Sequence, residues 1–333
     1  MNELDRSLEW RLKMRIEADG PLTIGQYMTD VLFDPLAGYY TTAHPFGREG
    51  DFITAPEVSQ MFGELIGGWL VQTWENLGSP NPFILVELGP GRGVLMADIL
   101  RTAALEPRFM SALKLVLVEK SLQLQREQSE ALAGFPVAIE WAETIDELPQ
   151  GPILLVANEF FDALPIRQFQ FTENGWHERV IGLSDAGQLA FGLTKALPEP
   201  HWLGGLPKPA MGDLVEVSPV SVKHMSAIAK RLATSGGAAL IVDYGHAERG
   251  YGSTLQAMRR HSYVDPLETP GRADVTAHVD FALLGSVAHA QGTQVSGPVT
   301  QGDFLISLGL LERAGHLGSG ESEETQNGQQ AHV

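Results

Sequence analysis

The sequence predicts a doubly wound α/β fold, a parallel sheet covered by helices on both faces. Three observations predict it. Five short apolar runs, at 83–88, 114–119, 136–141, 152–157 and 238–243, each have the length and apolar content of a buried strand. The clearest helical stretches, 94–101 and 121–133, fall between these runs. A glycine-rich turn, Gly89 to Gly93, follows the first run and precedes the first of those helices. Ligands of such sheets bind at that end of the strands.

The remaining elements follow in chain order. Leu4, Leu8, Leu12 and Ile16 recur every four residues, the pattern of an amphipathic helix. Thr23 caps a short helix through Leu32, and 34–38 is turn chemistry. Residues 47–51 form a charged loop, and 55–74 read as a helix with Pro56 in its first turn. A long insertion separates the fourth and fifth strands. In it, 166–171, 179–183 and 188–193 predict an antiparallel meander, 195–213 a Pro- and Gly-rich loop, and 221–234 a helix returning to the sheet. A helix over 279–291, a short strand near Val295 and a last helix over 304–313 complete the chain. The expected organisation is a helical cap at 1–80, the ligand-binding half of the sheet at 81–165, an inserted β/loop subdomain at 166–235 and the rest of the catalytic domain at 236–314. Residues 315–333, polar with few apolar side chains, are expected to be a disordered tail.

Composition narrows the function. The 333 residues are 44% hydrophobic, enough for a proper core. The net charge of −18 argues against a nucleic-acid partner and against docking on anionic lipid. It suits a cationic substrate such as an arginine-rich protein segment, although an acidic surface also simply keeps a chain in solution. The absence of cysteine excludes disulfides, thiolate nucleophiles and cysteine zinc sites. No apolar run approaches the ~18 residues of a membrane span, so no membrane insertion is expected. The first twenty residues lack the apolar core of a signal peptide and carry Glu3, Asp5, Glu9 and Glu17, unlike a transit peptide. The expected compartment is the cytoplasm. No histidine pair has the helical spacing of a zinc site, so no metal is expected. Neither a phosphate-binding G-x-x-x-x-G-K-[ST] loop nor a G-x-S-x-G elbow occurs.

The chemistry concentrates at strand ends. Glu87-Leu-Gly-Pro-Gly-Arg-Gly93 places an acid ahead of Gly89, Pro90, Gly91 and Gly93. The glycines let backbone turn sharply and approach a ligand. The spacing is G-x-G-x-G, whereas a nicotinamide site reads G-x-G-x-x-G. S-adenosylmethionine (SAM) has no phosphate; it carries a sulfonium, an ammonium and a carboxylate. Glu87 suits the ammonium, and backbone N–H groups suit the carboxylate. Glu119 ends the second strand, where an acid accepts ribose hydroxyls. Glu143, past the third strand, suits the adenine amino group and equally a surface position.

The fourth strand runs into Asn158-Glu-Phe-Phe-Asp-Ala-Leu-Pro165. Glu159 and Asp162 are three apart, so one helical turn would bring both carboxylates to one face. Such a pair beside a methyl donor suits a guanidinium, whose planar fork carboxylates orient. The alternative is that Glu159 is only an acid favoured at a helix N-terminus. Arg48 and Glu57, and His177 and Glu178, are further polar clusters and candidates for substrate contacts.

Together these segments resemble the MidA-like SAM-dependent methyltransferases over roughly residues 15–313. The resemblance rests on G-Y-Y at 38–40, G-R-E-G-D-F-I-T-A-P-E at 47–57, S-Q-M-F-G-E at 59–64, the E-L-G-P-G-R-G and N-E-F-F-D-A-L-P segments, W-H-E-R-V from Trp176, V-D-Y-G-H from Val242, and P-G-R-A-D-V-T-A-H-V-D-F from Pro270. It implies SAM at Glu87 to Gly93, Glu119 and the Asn158 loop. The family includes a mitochondrial complex I assembly factor that methylates arginine. By analogy the resemblance implies a protein acceptor such as an NADH dehydrogenase subunit. Family members continue past the last helix into a closing strand, and no strand-like run follows here. The sheet edge near Val295 is therefore expected to be open, or covered by a partner. Two rival readings stand beside the enzyme: a non-catalytic assembly factor with SAM as structural ligand, and a nicotinamide oxidoreductase, which the glycine spacing disfavours.

Overall fold

The computed structural model describes residues 7–42, 59–198 and 206–313. Helix α1 (Leu8–Asp19) starts where Ser7 accepts the Trp10 N–H, and it buries Leu8, Leu12 and Ile16. Strand β1 (Leu22–Thr23) leads into α2 (Ile24–Phe33), where Thr23 and Gln26 form a reciprocal capping box. Asp34 then closes a turn by accepting the N–H groups of Leu36 and Ala37, ahead of α3 (Tyr39–Thr42). Helix α4 (Gln60–Asn76) is capped by Ser59, later than the sequence suggests; Pro56 lies outside the described residues.

The next stretch alternates strand and helix: β2 (Phe83–Leu88), α5 (Val94–Ala103), α6 (Pro107–Ala112), β3 (Leu113–Val118), α7 (Leu122–Leu132), β4 (Ile139–Ala142) and β5 (Ile153–Asn158). Strand β4 begins three residues later than its apolar run, whose Pro136 has no N–H to give a ladder. The insertion contains the expected meander, β6 (Arg167–Thr172), β7 (Gly175–Leu183) and β8 (Leu189–Leu193), followed by β9 (Leu214–Val217). Helix α8 (Pro219–Ser235) leads to β10 (Gly237–Val242). Five short strands follow: β11 (Gly245–His246), β12 (Gln256–Arg259), β13 (Ser262–Val264), β14 (Asp274–Thr276) and β15 (Val279–Asp280). Helices α9 (Phe281–Ala290) and α10 (Gln301–Ser307) come last. The strand expected near Val295 is absent: 293–300 has no regular structure, Val295 and Val299 are exposed, and Gly297 turns left-handed before Pro298. The tail expected at 315–333 lies outside the described residues.

The chain divides into two compact units, each drawn from three separate stretches. One unit comprises Ile53–Asn158, Ser226–Val242 and Ala288–Val333. It holds the parallel sheet, in the order β10-β5-β2-β3-β4. The chain moves outward from β2 to β4 and then returns to β5 on the other side of β2. This reversal puts the switch point at the carboxyl ends of β2 and β5, where loops part and ligands bind. All six β2 residues are buried. Ile66, Leu70, Leu85, Ile99 and Leu100 are buried without exposure, each worth roughly 1.5–3 kcal/mol by removal from water. Phe83 and Phe109 pack at 4.8 Å between ring centroids beside Trp74, whose indole donates to the Pro80 carbonyl.

The other unit comprises Met1–Phe52, Glu159–Met225 and Asp243–Val287. It holds the meander sheet, in which β7 pairs with β1, β6 and β8, and a three-stranded sheet ordered β13-β12-β14. Its core gathers α1 and α2 side chains with Ile166, Ile181 and Val275.

Candidate cofactor site and acidic cluster

In the parallel-sheet unit the E-L-G-P-G-R-G segment turns directly off β2. Gly89, Gly91 and Gly93 have φ of 59°, 51° and 83°, the left-handed region that disfavours any side chain. The turn is pinned from inside: the Gly89 N–H donates to the Val118 carbonyl at 3.1 Å and the Gly93 N–H to the Pro90 carbonyl at 2.8 Å. A Cβ on Gly93 would fall 3.3 Å from the Cα of Gln128, so the turn lies directly on α7. Gly93 also opens α5 without any side-chain cap. Glu87 is 2% exposed, and its Oε2 makes no hydrogen bond. Burial alone raises its carboxyl to about 8.

Glu119 follows β3. Its Oε1 accepts the Ser121 N–H at 2.8 Å, and its N–H donates to the Ala142 carbonyl at 3.0 Å. Burial raises its carboxyl, and hydrogen bonds from Ser121 and Gln128 oppose the rise. Glu143 is exposed; its N–H donates to Glu147. Asn158 is the last residue of β5, paired with Val242 of β10. These features fit SAM: a backbone cradle without side chains, a buried unpaired carboxylate oxygen for an ammonium, and an acid at the next strand end for a ribose.

The meander unit contributes a separate acidic cluster. Glu159 and Asp162 do not share a helical turn as the spacing suggests. Residues 159–162 form a bend, and Glu159 is left-handed with φ of 47°, a strained conformation for a side chain with a Cβ. Asp162 is 7% exposed, and its Oδ1 is buried without a hydrogen bond. Burial first, then the negative charges of Asp243, Asp274 and Glu159, hold its carboxyl well above the usual carboxylate range. Asp243 is raised to about 6 by burial, against backbone N–H donors that favour its charge. Tyr40 donates to Asp274 at 2.9 Å. Asp243 and Asp274 had no assigned role in the sequence reading. Asp243 carries the same signal as Glu119, an acid ending a strand.

Among the substrate candidates, Arg48 and Glu57 lie outside the described residues. His177 and Glu178 sit on β7. Glu178 is buried and takes a bidentate pair from Arg167 at 2.7 and 2.6 Å, so both its oxygens are engaged. His177 Nδ1 lies 2.7 Å from the Thr194 carbonyl. Among the described residues no group of His, Asp or Glu is placed to hold a metal ion, and no helix is long and apolar enough to cross a membrane.

Comparison with known proteins converges on this chemistry. Residues 65–299, more than half of the chain, match the model of a family of S-adenosyl-L-methionine-dependent methyltransferases. The chain is 38% identical, over 90% of its length and 74% of the relative's, to a fruit-fly (Drosophila melanogaster) protein named protein arginine methyltransferase NDUFAF7 homolog, mitochondrial. It is 36% identical to the human protein arginine methyltransferase NDUFAF7, mitochondrial, over 90% of this chain and 72% of that one. Both names are mitochondrial, which overturns the expectation of a cytoplasmic compartment. A crystal structure of a Burkholderia thailandensis protein named a likely methyl transferase, bound to S-adenosyl-homocysteine, superposes with a TM-score of 0.78 at 26% identity, covering 93% of this chain and 82% of that one. The family model covers more than half of the chain and the relatives most of it, and the chain belongs to this family of SAM-dependent methyltransferases.

Proposed function

We propose that this methyltransferase acts on the guanidinium of an arginine in a protein, and that the protein is a subunit of the respiratory NADH dehydrogenase, complex I. The observation that carries the first half is the set of relatives, 35–38% identical, named as protein arginine methyltransferases. The second half rests on the family resemblance of the motifs. The net charge of −18 supports a cationic acceptor segment.

In this reading Glu87, Gly89, Pro90, Gly91, Gly93 and Glu119 hold the cofactor, with Asn158 and Glu143 as further contacts. Bound SAM supplies an electrophilic methyl group. The protein's work is on the acceptor. A guanidinium keeps its proton in water, so no side chain deprotonates it in advance. Asp162 offers a buried oxygen with no hydrogen bond, and a guanidinium N–H is a matching donor. The like charges around Asp162 that raise its carboxyl are relieved when a cation arrives. Glu159 gives a second carboxylate to fix the planar fork. As the new N–C bond forms, the S–CH3 bond would break to leave S-adenosylhomocysteine; the nitrogen must lose a proton, and a carboxylate with a raised pKa is suited to take it.

The test uses methyl-labelled SAM, the purified chain and a cell lysate, with labelled protein hydrolysed to amino acids. Label is expected in methylarginine. Asp162→Asn should bind SAM as the parent does yet lose turnover by about 100-fold or more. Glu159→Gln should behave likewise. Label on another amino acid would sink the arginine assignment, and undiminished turnover in Asp162→Asn would remove that residue from the mechanism.

A further inference from the structure

Gln128 lies in α7, a helix whose sequence, LQLQREQSEAL, looks mostly solvated, yet its side chain is fully buried. Both ends of its amide are used. Nε2 donates to the Gly91 carbonyl at 2.8 Å and makes a longer 3.4 Å contact to Glu119 Oε2. Oε1 accepts the indole N–H of Trp141 at 2.8 Å. The partners fix which way the amide points. An indole N–H only donates and a backbone carbonyl only accepts, so oxygen must face Trp141 and nitrogen Gly91. The Cα of the same residue is the atom that a Cβ on Gly93 would approach tightly, at 3.3 Å. One residue therefore touches two glycines of the cofactor turn, the acid after β3 and the strand after that.

No other common side chain serves all of these partners. A hydrocarbon would leave the Gly91 carbonyl and the Trp141 N–H unpaired in the interior, each a substantial loss. A carboxylate would keep the Trp141 bond, lose the donor to Gly91, and set a second negative charge beside Glu119.

We propose that Gln128 is a positioning residue for the cofactor: it fixes the Gly91 peptide and the Glu119 carboxylate in one geometry and so sets SAM affinity without touching the reacting atoms. The proposal rests on the reading that Gly89 to Gly93 and Glu119 hold SAM. A preformed cradle loses less freedom on binding, which is where such a residue acts.

The experiment is titration calorimetry of SAM and S-adenosylhomocysteine into the full chain and two variants, Gln128→Met and Gln128→Glu, with circular dichroism and urea unfolding as fold controls. Both variants should remain folded and bind both ligands at least about 10-fold more weakly. Turnover at saturating SAM should stay close to that of the parent, so the loss falls on KM for SAM rather than on kcat. A second readout separates positioning from mere stability. Gln128 donates toward Glu119 and lowers its carboxyl. Without that donor, the Glu119 carboxyl rises, and SAM binding by Gln128→Met should fail at higher pH on acidification than binding by the parent. Unchanged SAM affinity in folded Gln128→Met, or parent-like affinity in Gln128→Glu, overturns the proposal. So does a lowered kcat with unchanged KM. If the parent itself fails to bind SAM, or Gly91→Val still binds it, the underlying cofactor reading falls instead, and the proposal with it.

Discussion

Asp243 holds the backbone of Asp162: its Oδ2 accepts the Asp162 N–H at 3.2 Å and the neighbouring Phe161 N–H at 2.9 Å. Its other oxygen accepts the Tyr244 N–H at 2.8 Å. The carboxylate that repels the Asp162 side chain thus also fixes the chain that carries it. Asp243→Asn keeps only one acceptor oxygen for these backbone donors, so at least one N–H loses its partner. We expect a loss of about 0.5–1.5 kcal/mol in urea unfolding. Removing the charge should also lower the Asp162 carboxyl toward its ordinary range, detectable by NMR titration of that carboxyl. An unshifted Asp162 would mean that burial with the charges of Asp274 and Glu159, and not Asp243, raises it.

Glu87 sets a pH dependence with a definite sign. Its carboxyl stands at about 8 in the folded chain against 4.5 for the ordinary group. The folded state therefore holds a proton that the unfolded state has lost. That contribution is full below the ordinary value and is lost as pH rises through about 8. The SAM-free chain should become easier to unfold as pH rises from about 4.5 to about 8, and Glu87→Gln should flatten that slope.

The same group predicts proton release on binding. An ammonium placed beside Glu87 favours the carboxylate, so SAM binding near neutral pH should release close to one proton. Calorimetry in buffers of different ionisation enthalpy measures this. Glu87→Gln should show no release and weaker SAM binding; release that persisted in this variant would place the titrating group elsewhere.

Gly93→Ala should weaken both folding and cofactor binding. The position has φ of 83°, and the added Cβ would press on the Gln128 backbone at 3.3 Å. A left-handed alanine costs about 1–2 kcal/mol. A shift of the turn to relieve the contact would move the Gly91 peptide, and we expect SAM affinity to fall about 10-fold. Parent-like SAM affinity would show that the turn tolerates the shift.

Arg167 and Glu178 should behave as a structural pair. Arg167→Ala leaves a buried carboxylate without its partner, at a cost of about 1–3 kcal/mol. Arg167 is itself 42% exposed, so solvent screens the pair and the cost should stay below that of a fully buried one. Unfolding of the single and double variants measures the coupling. SAM binding should be unaffected; a loss of SAM affinity would contradict a purely structural role.

The five strands of the parallel sheet were legible in the sequence because each is a contiguous apolar run, and β2 with its glycine turn was legible because nearly every residue there is demanded by geometry. Strands β11 to β15 were not, since two to four residues carry no periodicity. The Glu159–Asp162 pair was read on a helical turn; the left-handed Glu159 shows that spacing of three means little when the backbone is a bend. Gln128 was invisible for a different reason. Its partners Gly91 and Trp141 are 37 and 13 residues away, and only the folded chain brings an ordinary-looking helix polar residue under the cofactor turn.

The central claim is that the turn from Glu87 to Gly93 holds SAM. Titration calorimetry with SAM, S-adenosylhomocysteine and NAD, on the purified chain and on Gly91→Val, tests it most directly. The account predicts binding of SAM and its product by the parent, none of NAD, and none of SAM by a folded Gly91→Val, whose side chain would occupy the cradle. SAM binding that survived in that variant, or its absence in a folded parent chain, would contradict the account.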